Sequence, residues 1–189
     1  MRTVIGLVAI ALLAPATALA QGAPETARTR GGLALEGELG LGGLNSQNPS
    51  DVDLSSFGAT ATGRLGGYLT PRMMLMVMAG VTSGDFEDPD FVGPGGTLAE
   101  LFLGASFRYW VSEKFWAEAN LSSSRLVIER LGRVDEQVFA GTRLGLTGGF
   151  VIYDGQRLNL DGRLGFAFGG YGNDVRSSSL WVSIGLTTK

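Results

Sequence analysis

The chain has 189 residues, enough for one domain with a sizeable core, and a formal charge of −3. It contains no cysteine and no histidine, which removes disulfides, Cys-ligated metals, acylation on cysteine, the commonest general base and every His-containing triad. The charge balance and the lack of any Lys/Arg cluster give no case for nucleic acid as a partner.

The N-terminal residues read as a processing segment. Arg2 supplies a charged start, Val4 to Ala14 form an apolar run too short to span a bilayer, Pro15 breaks it, and Ala18-Leu19-Ala20 is an A-x-A cleavage site. The expected organisation is a signal peptide over 1–20, a polar lead-in over 21–30 and one barrel domain over 31–189.

From Gly32 onward one segment after another alternates with period two, the signature of half-buried strands. Gly32–Leu44 sets Leu33, Leu35, Leu39 and Leu41 against Ala34, Glu36, Glu38 and Gly40. Phe57–Leu69 sets Phe57, Ala59, Ala61, Leu65 and Leu69 against Thr60, Thr62 and Arg64. Arg72–Thr82 fits least well, because Met74, Met76 and Met78 make its second face apolar too.

Clean alternation returns in Leu98–Tyr109, where Leu101, Leu103, Ala105 and Phe107 oppose Glu100, Ser106 and Arg108. Lys114–Ser123 opposes Phe115, Ala117, Ala119 and Leu121 to Glu118, Asn120 and Ser122. Gln137–Tyr153 sets a row from Val138 to Ile152 against Arg143, Gly145 and Thr147. Arg157–Phe168 sets Leu158, Leu160, Leu164 and Phe166 against Asn159, Asp161 and Arg163. Leu180–Thr187 closes the series, with Leu180, Val182, Ile184 and Leu186 against Trp181, Ser183 and Gly185.

Eight such segments predict an all-β, eight-stranded antiparallel up-and-down transmembrane β-barrel. The connections expected alternate short and long. Thr70-Pro71-Arg72, Val111-Ser112-Glu113 and Asp154-Gly155-Gln156 are tight, whereas Asn45–Ser56, Ser83–Thr97, Leu126–Glu136 and Gly169–Ser179 are read as loops of ten residues or more. Outer-membrane barrels have this arrangement, with short periplasmic turns and longer outer loops. Tyr68, Tyr109, Trp110, Phe115, Trp116, Phe150 and Tyr153 gather beside the tight turns, where an interfacial aromatic girdle would lie.

The opposite face carries Glu36, Glu38, Arg64, Glu100, Arg108, Glu118, Arg143, Asp161 and Arg163. With lipid outside, these nine fall in a lumen that an eight-stranded barrel leaves only wide enough for side chains. They are expected to neutralise one another as a plug; the alternative is a polar path for protons, water or small solutes. A soluble, lipocalin-like barrel would need the reverse, with the leucine rows inside.

Gly66-Gly67-Tyr68-Leu69-Thr70-Pro71-Arg72 and the stretch from Arg108-Tyr109-Trp110 to Glu118-Ala119 look like strand–tight turn–strand hairpins. On these the chain resembles the small bacterial outer-membrane barrel proteins, the OmpA-like and OmpX-like group, over about Gly31 to Lys189. The resemblance implies a place in the outer membrane, with lipid and the outer-membrane assembly machinery as partners. It identifies no activity. The chain departs from the group's frequent terminal aromatic by ending Leu186-Thr187-Thr188-Lys189.

No cofactor, metal or catalytic site emerges. Gly84 to Asp90 is acidic but fails the EF-hand spacing, so it reads as a solvated loop. Gly37, Gly40, Gly42 and Gly43 lack the helix a dinucleotide loop requires. Ser122–Ser124 and Ser177–Ser179 read as loop serines, with no base to activate them. The expected role is non-enzymatic and structural or surface-interacting, with any outside partner met through the four loops.

Overall fold

A computed structural model describes residues 32–47, 53–87, 94–130 and 137–188. The expected signal peptide and lead-in lie outside the described residues. Eight antiparallel strands follow in chain order: β1 Leu33–Gln47, β2 Asp53–Thr70, β3 Met73–Glu87, β4 Pro94–Trp110, β5 Phe115–Arg130, β6 Gln137–Asp154, β7 Leu158–Tyr171 and β8 Arg176–Thr188. Each pairs with its neighbours and β8 pairs with β1, so the sheet closes on itself. Closure leaves no edge strand with unpaired backbone groups.

The period-two pattern becomes a division of inside from outside. Leu39, Leu41, Leu103, Leu121, Leu164 and Val182 face outward and are among thirty exposed large hydrophobics of the described residues. The charged rows face inward and are buried. This is the reverse of a soluble barrel, so the lipocalin-like arrangement is overturned. β3 also resolves: Met74, Met76 and Met78 turn inward at 0–2% exposure, while Met73, Leu75 and Val77 turn outward.

The strands are longer at the loop end than the sequence pattern suggests. β1 runs to Gln47 and β2 starts at Asp53; β5 runs to Arg130. Much of what was expected to be four long loops is therefore paired strand. The connection from β7 to β8 is one 3-10 turn, Gly172–Asp174, where Asn173 and Asp174 take positive φ values of 63° and 59°. Asn and Asp tolerate that region because their short side chains bond locally. The ladder persists past the apolar rows because each added rung satisfies two backbone groups whatever the side chain.

Glycine clears the inner wall for large side chains. Gly149, Gly165 and Gly185 face inward on β6, β7 and β8, where a Cβ would collide with Trp116, Trp181 and the Arg163 guanidinium respectively. Three of the barrel's largest inward groups therefore lie flat against backbone. A filled eight-stranded interior has room for them only on those terms.

Candidate functional site: the charged lumen

All nine charged side chains expected in the lumen are there. The ion-paired ones show 0–1% side-chain exposure. Their strands bring them to two levels of the barrel.

The larger level centres on Glu36 of β1. Arg108 of β4 donates to it twice, Nη1 to Oε2 at 2.7 Å and Nη2 to Oε1 at 2.9 Å. Arg64 of β2 and Arg163 of β7 each donate through Nη1 to Glu36 Oε1, at 3.0 and 2.5 Å. The same two Nη1 groups reach Glu38 Oε2 at 2.5 and 3.1 Å. Glu118 of β5 completes the ring, accepting from Arg64 Nε at 3.0 Å and from Arg108 Nη2 at 2.6 Å. Arg163 Nε bonds Asp161 on its own strand.

Glu100 and Arg143 form the second level. Arg143 Nε lies 3.3 Å from Glu100 Oε2, an ion pair without hydrogen-bond alignment, since neither atom has a hydrogen-bond partner. The Arg143 guanidinium sits 4.3 Å from the Phe102 ring centroid, within cation–π range. Tyr171 donates its hydroxyl to the other oxygen of Glu100, and Ser177 Oγ donates to that oxygen at 3.5 Å.

Five carboxylates face four guanidiniums, so neutral donors make up the deficit. Trp181 Nε1 and Ser183 Oγ donate to Glu38 Oε1 at 2.9 and 2.6 Å, and Thr187 Oγ1 donates to Glu36 Oε2 at 2.9 Å. Sequence reasoning put Trp181 and Ser183 on the polar face without a role, and left Tyr171 in a loop. Their signal was the same alternation, since each shares the parity of inward neighbours. Ser122, Ser124, Ser177 and Ser179 correct the loop-serine reading: they are buried, inward strand residues.

Buried apolar side chains flank the charges toward both ends of the lumen. At the loop end Leu44, Leu54, Phe86, Leu98, Leu126, Ile128, Tyr171 and Val175 form one buried cluster. At the turn end Trp110 packs with Trp116 and Val151, and Ala34 with Met74 and Met76. A buried charge is costly unless it is paired, and this array of paired charges lies between apolar ends. Chemically it can bind the strands together, since its ion pairs join residues of different strands.

The expected girdle divides. Tyr109, Phe115, Phe150 and Tyr153 are exposed on the outer face, with the Phe115 and Phe150 rings 4.9 Å apart. Trp110 and Trp116 are corrected: both are 2% exposed and point inward, Trp116 beneath Arg108, whose guanidinium carbon is 3.8 Å from the ring centroid. Tyr68 also turns inward, against Ala34, Met74 and Met76. Nearness to a turn marks height in a barrel, but parity sets the face.

The acidic stretch read as a solvated loop begins inside β3. Asp85 and Glu87 face outward at its end, Thr97 Oγ1 donating to Asp85 at 3.2 Å; residues 88–90 lie outside the described residues.

No family model matches the sequence, and no curated protein matches it. Solved structures do match. Neisserial surface protein A (NspA) aligns with TM-score 0.57 and 17% identity, over 82% of this chain and 98% of that one. Ail, the attachment invasion locus protein of Yersinia pestis, aligns with TM-score 0.59 and 11% identity, over 82% and 97%. A second structure of Ail, in complex with the heparin analogue sucrose octasulfate, aligns with TM-score 0.58. The chain has the fold of these small, eight-stranded outer-membrane barrels.

Proposed function

We propose, starting from that shared fold, that this chain is an outer-membrane barrel with a sealed interior, acting without catalysis as a rigid carrier for its loop end. The observation that carries the reading is the inside-out division of the barrel: an apolar outer face and an interior of paired charge. The thirty exposed large hydrophobics among the described residues would be a liability in water, whereas lipid gives them a surrounding of their own kind. On β7 the outward apolar residues run from Leu158 to Phe168. At ~3.3 Å per residue and a tilt of ~40°, that spans ~25 Å along the barrel axis, the height of a lipid-facing band.

Beyond the band the outward positions turn polar while the strands continue. Asn45 and Gln47 end β1, Asp85 and Glu87 end β3, and Arg125 and Glu129 lie near the end of β5. These supports favour a stiff platform standing clear of the lipid, on which a surface partner would meet strand ends as much as loops. The filled, ion-paired lumen weighs against the channel alternative.

The test is gel mobility of membrane-extracted protein with and without boiling, followed by conductance in planar bilayers. A compact unboiled band that shifts on heating, with no conductance steps, is the expected result. A heat-shifting protein that conducts would overturn the sealed interior. A periplasmic soluble protein without heat shift would overturn the membrane reading altogether.

A further inference from the structure

The two ends of the barrel differ in charge in a way the lumen does not require. Each of the three tight turns carries one exposed cation: Arg72 between β2 and β3, Lys114 between β4 and β5, and Arg157 between β6 and β7. Among the described residues Glu113 and Asp154 are the carboxylates on this rim, so cations exceed anions three to two there. At the loop end the balance inverts among the described residues. Arg125, Arg130 and Arg176 stand against five carboxylates, Asp85 and Glu87 among them.

Backbone bonds tie two of these cation-bearing turns to neighbouring strands. The Arg72 carbonyl accepts from Trp110 N at 2.9 Å, and the Lys114 carbonyl accepts from Val151 N at 2.9 Å. Two of the three turns are thereby fastened to the next hairpin, and the three cations recur around the rim at intervals of two strands, ~10 Å. Immediately above them on the outer face lie Tyr109, Phe115, Phe150 and Tyr153, the exposed aromatic residues of the turn end. A rim of exposed cations under a belt of outward aromatics matches a surface of phosphates overlying acyl chains.

We infer that the turn-end rim docks on anionic glycerophospholipid headgroups, with Arg72, Lys114 and Arg157 as the phosphate-facing groups. The inference rests on the membrane reading above. It adds a lipid preference and an end of the barrel to which that preference belongs. Each cation beside an anionic surface contributes about a fivefold factor in binding, which the two rim carboxylates reduce, so a net enrichment of about threefold or more is expected.

The test uses the full chain in nanodiscs of equimolar phosphatidylcholine and phosphatidylglycerol with identical acyl chains, and native mass spectrometry of the lipids the released protein retains. The expected result is retained phosphatidylglycerol in excess, lost in the Arg72→Gln, Lys114→Gln, Arg157→Gln triple variant. The enrichment should survive in an Arg125→Gln, Arg130→Gln, Arg176→Gln triple variant at the other end. The heat-shifted band confirms that each variant is folded, and single variants at the three turns replace the triple should it fail to fold. No enrichment in the parent protein, or enrichment that persists without the turn-end cations, overturns the inference and leaves the membrane reading standing. A parent protein that never gives a heat-shifted band in the discs overturns the membrane reading, and the lipid preference with it.

Discussion

Glu36 and Arg108 meet across the lumen from β1 and β4, joined by two hydrogen bonds of 2.7 and 2.9 Å between residues 72 positions apart. Glu36 also accepts from Arg64, Arg163 and Thr187, so one carboxylate ties together strands β1, β2, β4, β7 and β8. A single side chain with so many partners makes the network testable one group at a time.

Glu36→Gln removes a charge from the midst of three guanidiniums and replaces one acceptor oxygen with a donor. Breaking a buried pair from one side costs about 3–5 kcal/mol, because the partner's charge is left uncompensated. Equilibrium unfolding of the refolded barrel in detergent micelles should show a loss of at least that size. A change within 1 kcal/mol would mean the lumen is wet enough to solvate the orphaned arginines.

Arg143 and Glu100 behave differently. Their contact lacks hydrogen-bond alignment and stands apart from the ring around Glu36. Arg143→Met or Glu100→Leu alone should destabilise, whereas the two together should recover most of the loss, since well-packed apolar residues replace a buried pair at little cost. A double-mutant cycle read by unfolding midpoint decides it; strictly additive losses would sink the idea.

Gly149→Ala puts a methyl group into the Trp116 ring, and Gly185→Ala does the same to Arg163. Overpacking of this kind costs about 1–3 kcal/mol. Gly148→Ala, on the same strand but outward with nothing within 4 Å, should be neutral within about 0.5 kcal/mol. Thermal unfolding followed by the heat-dependent gel shift separates the two faces. Equal effects at Gly148 and Gly149 would contradict the inward packing.

Val182→Arg tests the surroundings of the outer face. Val182 is 64% exposed, so in water the change would be nearly free. In a bilayer an arginine on the lipid face costs about 2–4 kcal/mol near the midplane and about 0–1 kcal/mol near the interface. Asn45→Arg, outward but past the apolar band, is the matched control. Folding titrations into vesicles should show a loss at position 182 and none at 45.

The sequence by itself determined which residues face in and which face out, because a strand's side chains alternate whatever the strand pairs with. Eight alternating segments with three tight turns therefore imply the barrel, its nine lumen charges and its outward apolar rows. Alternation could not tell where a strand stops, since outward residues such as Asn45, Gln47, Arg125 and Glu129 look like loop once the outer face turns polar. Pairing to a neighbour keeps them in the ladder, and pairing is a property of two strands. Nor could proximity to a turn decide the girdle, where Trp110, Trp116 and Tyr68 share a height with Tyr109 and Phe115 but not a face.

Which charges meet was decided by the tertiary structure alone. Glu36 reaches Arg108 and Arg163 only because closure between β1 and β8 brings β7 and β4 around to it, through glycines that let Arg163 and two tryptophans lie against the wall. Sequence fixes the parity of a side chain one strand at a time; its partners across a lumen depend on closure and stagger, which belong to all eight strands at once.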